Sequence, residues 1–353
     1  MKREILDQIG ERVDRLISLD VRGRGERCPI MERLYPAARE LYGRPITSLA
    51  AEKLKETIGM GDSVFIVTGL ASYGMAPETD GPVGAVALGR ALQIGLAARP
   101  IFITHHLFTQ MLSKTATGGG FLVFPPKDIQ RAWLQVPSAT LVEGFPTDEE
   151  EAEKLAQTLM KAYHPKAIIA IEARGPNEEG VYHIVNGTDV TPYEAKMACL
   201  FEEAKDQNIL TIGILDGCGI EIGFGTISSA VIHDYPRYGT CSCGCKSGMH
   251  DSTQVDIVLP AAVSNWGAHG IAACLSALLE KKEVFHDKTL ESRMLRICAD
   301  AGAMDGLTGR SELAVDGLPE IIQMTVVEIL GEIVQCAMKG YATELRNYYD
   351  FHG

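Results

Sequence analysis

The feature that most constrains this chain is a repeated order: a short, continuously apolar run, then a loop rich in glycine and acids, then a helical pattern. The apolar runs fall at 64–67, 100–104, 140–143, 167–172, 211–215 and 255–259. Helical patterns near 83–98, 148–163, 192–207, 226–233 and 267–282 follow them. Strands that are apolar on both faces belong in a parallel sheet covered by helices. The order therefore predicts βαβ units and a three-layer α/β/α fold with a mainly parallel sheet, flanked by N- and C-terminal helices. Ile5, Ile9, Val13, Leu16 and Ile17 recur at helical spacing, so residues 1–60 read as a helical segment packed on a main domain, 61–353, in one continuous unit. An Arg- and Gly-rich loop is expected at 22–28. The tail from 290 to 349 reads as two or three helices around a loop at 305–319.

The composition narrows the partners. The formal charge of −13 argues against nucleic acid or an anionic membrane surface, both of which need a basic stripe. No apolar run reaches ~18 residues free of charge, so no membrane span is expected. The start, Met1-Lys2-Arg3-Glu4, lacks the apolar stretch of a signal peptide. Cys199, Cys274, Cys298 and Cys336 sit in apolar helical patterns and read as small core residues in a reducing compartment, so a cytoplasmic protein is expected, with homo-oligomerisation left open.

The residues capable of chemistry collect where the predicted strands end. Thr68, Gly69, Glu78, Thr79 and Asp80 follow the first run. Glu172 and Arg174 follow the run at 167–172, Asp216 and Glu221 the run at 211–215. Ser264, Asn265, Trp266 and Gly267 follow the run at 255–259. Ligands of open α/β sheets sit at the carboxyl ends of strands, so four such loops on one edge predict a site. Each residue also has a structural reading. Glu78 and Asp80 would cap the helix near Val83, Glu172 would pair with Arg174, Asp216 would make an Asx-type turn, and Asn265-Trp266 would cap a helix over a packed indole. His269 reads as a satisfied core histidine, and His105-His106 opens a helix with no evident partner.

The glycines of Gly217-x-Gly219-x-x-x-Gly223 invite a dinucleotide reading, as do Thr68-Gly69 and Gly74, but the ribose-binding acid and a third glycine are not in place. No nucleotide cofactor is expected. Cys241-x-Cys243-x-Cys245, with His250 close behind, leaves three readings open: a bound metal, reactive thiols, or a surface flap without chemistry.

With these residues in view, the chain resembles the D-glutamate cyclase family in its single-domain prokaryotic form, over about residues 15 to 335. The resemblance rests on Thr68-Gly69 with Pro77-Glu78-Thr79-Asp80-Gly81-Pro82-Val83-Gly84-Ala85, Ile171-Glu172-Ala173-Arg174, Glu221-Ile222-Gly223-Phe224-Gly225, Ser264-Asn265-Trp266-Gly267-Ala268, and Asp305-Gly306-Leu307-Thr308-Gly309 with Val315-Asp316-Gly317-Leu318. It differs from the family pattern at Ile220, Ile184 and Asn186. The resemblance implies dehydrative closure of D-glutamate, or a related amino acid, to 5-oxo-D-proline. Such a reaction needs a neutral amine, an activated side-chain carboxyl and a route for water to leave. Glu172, Asp216, Glu221 and Asp80 are the candidate proton carriers. Glu172, Asp216 and Glu221 are also the candidate ligands of Mg²⁺ or Mn²⁺. Glu78 and Asp80 would hold the ammonium, and Arg174, Thr79 and the 265–267 amides the α-carboxylate. A metabolite or metal sensor on the same scaffold, or a dinucleotide-dependent oxidoreductase, is the competing class.

Overall fold

The computed structural model describes residues 1–23, 31–72, 75–205 and 207–338. Seven strands form one sheet: β1 Ser63–Thr68, β2 Arg99–His105, β3 Leu122–Val123, β4 Ala139–Phe145, β5 Ala167–Ile171, β6 Leu210–Leu215 and β7 Ile257–Pro260. Every pairing is parallel, in the order β3-β4-β2-β1-β5-β6-β7. The central strands β1 and β5 are buried at every residue, as their unbroken apolar runs require. From β1 the chain moves to β2, and from β5 it moves the opposite way to β6. The crevice outside the carboxyl ends of β1 and β5 is therefore a topological switch point.

Helices α1 (Arg3–Ile17), α2 (Met31–Tyr42) and α3 (Ile46–Thr57) precede the sheet. Helix α4 (Pro82–Leu96) starts with Pro82 in its first turn, where the missing N–H costs nothing. Helices α5 (Thr109–Gly118), α6 (Pro126–Ala132), α7 (Glu149–Tyr163), α8 (Cys199–Ala204) and α9 (Ser228–Ile232) connect the strands, and α10 (Ser264–Leu279) follows β7. Helix α10 packs against α4, α3 and α1 in one layer, while α7 packs against α8. Ten of the fifteen residues of α4 and fifteen of the sixteen of α10 are buried, which explains why both are so apolar. They touch so closely that a Cβ on Gly84 would lie 2.8 Å from the Asn265 Cα. Ile9, Val13 and Ile17 of α1 and Leu34 of α2 belong to the same buried apolar cluster as the sheet. The end is α11 (Lys288–Asp300), a two-residue hairpin pairing Ala314–Val315 with Leu318–Pro319, and α12 (Glu320–Met338). By length and composition α12 could cross a membrane, yet Val326, Val327, Leu330 and Val334 are buried against the protein.

Several sequence expectations shift. The strand expected at 255–259 is Ile257–Pro260, and Glu172 lies one residue beyond its strand. The edge strand β3 and helix α6 had no clear sequence signal, being two and seven residues long. The helix expected at 192–207 shrinks to Cys199–Ala204, because Glu194 stays extended (φ −97°, ψ 135°) to reach a buried arginine. The helix expected at 226–233 is the short 3₁₀ turn Phe224–Thr226 followed by α9. Of the predicted Arg/Gly loop at 22–28, residues 24–28 lie outside the described residues, as do Gly74 and the expected helix beyond 338.

Candidate active site

The switch-point crevice is shaped first by backbone. Glu172, just past β5, has φ 48°, a left-handed conformation that non-glycine residues seldom adopt. It is held there from both sides: its N–H donates to the Ile214 carbonyl at 3.3 Å, and its carbonyl accepts from Leu70 N–H at 2.9 Å. Gly81, φ 95°, closes the loop above it. A Cβ there would fall 2.6 Å from Thr68 Oγ1 and 2.9 Å from the Glu172 Cβ, so only glycine fits. Asp316, on the far loop, also has positive φ (54°).

These turns enclose a cavity of about 400 Å³. Its acids are Glu78, Glu172, Asp216 and Asp316, its cations Arg22 and Arg174. Leu70, Ile184, Val185, Ile220 and Leu307 supply apolar wall. Arg22 spans the two aspartates: 2.8 Å from Asp316 Oδ2, 3.7 Å from Asp216 Oδ2, with its other contacts on the carbonyls of Asp316 (3.0 Å) and Ala262 (2.6 Å). Arg174 pairs through Nη1 with the buried Glu194 and donates from Nη2 to Ala71 O at 3.0 Å. Its Nε is buried without a hydrogen-bond partner among the described residues. Glu221 lies beneath the cavity, fully buried. Its Oε1 accepts from the N–H groups of Asp216 (3.2 Å) and Cys218 (3.1 Å), and its Oε2 has no partner among the described residues.

Crowding and burial raise the pKa values of these acids together. Burial first, then the charge of Asp216, pushes Glu221 up to about 8. Burial likewise lifts Glu78 to about 8, against the pull of Arg174. Glu172 is raised well above the usual carboxylate range by burial and by Asp216, Glu221, Asp80 and Asp316. A buried carboxylate with like charges around it holds its proton, so several of these acids are protonated near neutrality. Such a cluster can give and take protons at neutral pH without large driving force.

Other residues predicted for the site are occupied elsewhere, and the reason is the pair of helix starts. The first N–H groups of a helix have no partner within it. Asp80 Oδ2 accepts from Ser264 N–H (2.9 Å), and Asp80 Oδ1 from Asn265 N–H (2.8 Å), which caps α10. In return Asn265 Oδ1 accepts from Gly81 N–H (2.9 Å) and Gly84 N–H (2.7 Å), which caps α4. The two helices cap each other. Asp80 thus caps a helix, though not the one its sequence position suggested. The amides expected to bind an α-carboxylate are also used: those of Trp266 and Gly267 donate to Val263 O, and the indole donates to Gln323 Oε1 at 2.7 Å. Thr79 Oγ1 donates to Ala314 O at 2.7 Å, fixing the far loop. Thr68 and Gly69 lie behind the wall, and Gly69 leaves room for Thr104. Ser264 reaches the site only through Glu172, donating from Oγ to Oε2 at 2.5 Å. The expected Glu172–Arg174 pair is replaced by Arg174–Glu194. Asp216 does make an Asx-type turn, its Oδ1 accepting from Cys218 N–H at 3.2 Å.

The three predicted cation ligands do not converge as one set. Asp216 shares one group of mutually close donor atoms with Cys218 and Glu221 and another with Asp80 and Asp316, and Glu172 belongs to neither. Asp216 and Asp316 offer the hard oxygen donors that Mg²⁺ or Mn²⁺ prefers, and the unpartnered Oε2 of Glu221 suits the same role. The glycines at 217–223 are followed by the 3₁₀ turn Phe224–Thr226 rather than a long helix opening on them. A larger cleft of about 770 Å³ lies at the amino ends of β6 and β7. Its charged lining among the described residues is Lys53, Lys205 and Asp256, and it lacks the crowded acids of the switch point. His269 is bonded to Glu291 (3.2 Å), and His105-His106 opens a helix as expected: His105 ends β2 and caps the 3₁₀ turn His106–Phe108 that leads into α5, with both ring nitrogens bonded, to Tyr193 O and to Leu107 N–H, each at 3.1 Å.

The sequence reading missed Arg22, Asp316, Leu307 and Val185 as cavity residues, and Glu194 as the partner of Arg174. Asp316 and Leu307 lie in the motifs 305–309 and 315–318, which were visible but follow no predicted strand. Arg22 sits far earlier in the chain, where no local pattern points to a site. No curated protein matches the chain. A family model, D-glutamate cyclase-like, C-terminal, matches residues 15–330, which spans the whole sheet and every cavity residue named above, so the chain belongs to the D-glutamate cyclase-like family.

Proposed function

We propose that the chain is a lyase that closes an acidic amino acid, D-glutamate in the first instance, to its 5-oxoproline with loss of water. The observation that carries this reading is the excess of acids over cations on one 400 Å³ cavity, with Glu78 on its wall and Glu221 beneath it both raised to about 8. Ring closure forms one N–C bond and breaks one C–O bond. The two protons that the ammonium loses are the two that carry a carboxyl oxygen away as water. A site for it must take protons from a cation and return them to an oxygen, which partly protonated acids of matched pKa do well.

In this reading Asp216, with Arg22 beside it at 3.7 Å, holds the substrate ammonium and accepts its proton. Glu172, protonated and fixed by Ser264 Oγ, donates to the departing oxygen. Glu78 stands next in line to exchange protons. The unpartnered Arg174 Nε binds the α-carboxylate. Leu70, Ile184 and Leu307 keep bulk water from the reacting carbon. A divalent cation, held by Asp216 and Asp316 with Glu221 behind them, would polarise the substrate carboxyl. The test is incubation with D- and L-glutamate, with and without Mn²⁺, following loss of primary amine and appearance of 5-oxoproline. Formation of 5-oxoproline from one enantiomer supports the reading. Failure with both, metal present, overturns it.

A further inference from the structure

Away from the cavity floor, the segment from Pro176 to Val190 folds back on itself through the bridges Pro176–Tyr182 and His183–Asp189. Its own core is only Tyr182, Ile184 and Val190, separate from the main apolar cluster. Three side chains bury too little surface to hold such a flap, and small units of this kind need a cross-link. The structure supplies the parts of one. Cys241, Cys243 and Cys245 approach from a segment without regular structure, all three as free thiols. Their sulfurs are 3.4 Å (241–245) and 3.5 Å (241–243) apart. The buried His183 turns Nε2 toward them, 3.2 Å from Cys243 Sγ and 3.8 Å from Cys245 Sγ. The sequence reading had looked to His250, which instead bonds Tyr238 O through Nδ1.

We infer that His183, Cys241, Cys243 and Cys245 form a structural zinc site that clips the flap to the cysteine loop. Zinc bound by three sulfurs at about 2.3 Å and one nitrogen at about 2.0–2.1 Å has ligand–ligand edges of roughly 3.5–3.8 Å. The four donor atoms already stand at nearly those separations. Cys₃His is a closed, tetrahedral, structural donor set, and three thiolates select a borderline-soft ion over Mg²⁺ or Ca²⁺. On binding, each thiol yields its proton to solvent, and Zn²⁺ with three thiolates and a neutral imidazole leaves one net negative charge. The backbones meet beside the site: Ser242 donates from N–H (3.1 Å) and Oγ (2.9 Å) to Gly187 O, and a Cβ on Gly187 would lie 2.9 Å from Ser242 N. Asn177 donates from Nδ2 to Cys245 Sγ at 3.3 Å, a contact of the kind that steadies a ligating sulfur. The residues directly after His183, Ile184 and Val185, with Asn186, line the catalytic cavity. The clip therefore holds one wall of that cavity, whatever reaction takes place in it.

Elemental analysis of untagged full-length protein, dialysed over a chelating resin, is expected to find about one zinc per chain. Cobalt exchanged into the protein is expected to show a thiolate charge-transfer band and the intense visible bands of a tetrahedral site. His183→Ala and Cys243→Ser, each checked for fold by circular dichroism, lose the metal, whereas Cys218→Ser keeps it. Should either ligand variant misfold, the wild-type protein still decides through its metal content and cobalt spectrum. Removing zinc is expected to raise hydrogen exchange of amides 182–190 more than tenfold. Native protein that takes up neither zinc nor cobalt, or a disulfide joining Cys241 to Cys245, overturns the site. Metal that persists in both ligand variants also overturns it. Bound zinc whose removal leaves exchange at 182–190 unchanged overturns the clip. None of these readouts depends on turnover, so the ring-closure reading stands or falls separately.

Discussion

Asn265→Ala separates a capping residue from a substrate-binding one. Asn265 is fully buried, and its amide serves three groups: Oδ1 accepts from Gly81 N–H at 2.9 Å and Gly84 N–H at 2.7 Å, and Nδ2 donates to Thr79 O at 3.1 Å. Alanine removes all three. Gly81 N–H retains Asp80 Oδ1 at 3.0 Å, so the main orphan is Gly84 N–H, in the first turn of α4. A buried donor left unsatisfied costs about 1–3 kcal/mol, and loss of a helix cap about 0.5–2 kcal/mol. These overlap, because the cap is the satisfied donor. The Thr79 carbonyl adds a smaller amount, so the expected loss is about 2–3 kcal/mol against a total stability on the order of 5–15 kcal/mol. The assay is urea unfolding followed by far-ultraviolet circular dichroism, with Asn265→Asp as companion. Aspartate restores the acceptor but loses the donor to Thr79 and places a second carboxylate beside Asp80, so it is expected to recover only part of the stability, and less as pH rises. If Asn265→Ala unfolds within about 0.5 kcal/mol of the parent while losing activity, the reciprocal caps are not what Asn265 is for.

Glu172→Gln keeps the hydrogen bond to Ser264 but removes the transferable proton, so turnover is expected to fall about 10²–10⁴-fold with an unchanged urea midpoint; steady-state kinetics at fixed substrate decide it. Glu194→Ala strands a buried guanidinium and is expected to cost about 3–5 kcal/mol in the same unfolding assay, and an effect below about 1 kcal/mol would mean that Arg174 has another anion to pair with. Glu78 and Glu221, at about 8 when folded against 4.5 as free side chains, bind more protons in the native state than in the unfolded one between those values. Their stabilising protonation is complete below pH 4.5 and is lost as pH rises toward 8, so the unfolding free energy, and the urea midpoint with it, is expected to fall from pH 5 to pH 8, the free energy by up to about 1.4 kcal/mol per pH unit for each independent group. A midpoint that rises over that range would show these acids to be ionised in the folded protein, neutralised by something other than protons.

The layered α/β architecture was legible in the sequence, because its signal is local. Continuous apolar runs such as 64–67 and 167–171 can be buried on both faces only in a covered parallel sheet, and a polar loop at each strand end follows from the same burial. The gathering of Glu78, Glu172 and Asp216 on one cavity follows from strand direction alone, since parallel strands bring all their carboxyl ends to one edge. What most of the polar residues do there was not legible, the Asx-type turn of Asp216 aside. Asp80 and Asn265 are 185 positions apart and look like site residues until two helix starts are seen to face each other across a contact that leaves Gly84 no room for a side chain. Short elements such as α6 and the edge strand β3 carry too few residues for a period to show. The same limit hid Glu194 as the partner of Arg174, Arg22 as the cation between two aspartates, and His183 as the fourth member of the cysteine group. Residue type and spacing determined where buried strands and helices form and which edge collects the acids. Only the tertiary structure decided which polar groups satisfy backbone N–H groups, which pair, and which remain with an unmet oxygen or nitrogen, because those outcomes depend on distances between segments far apart in the chain.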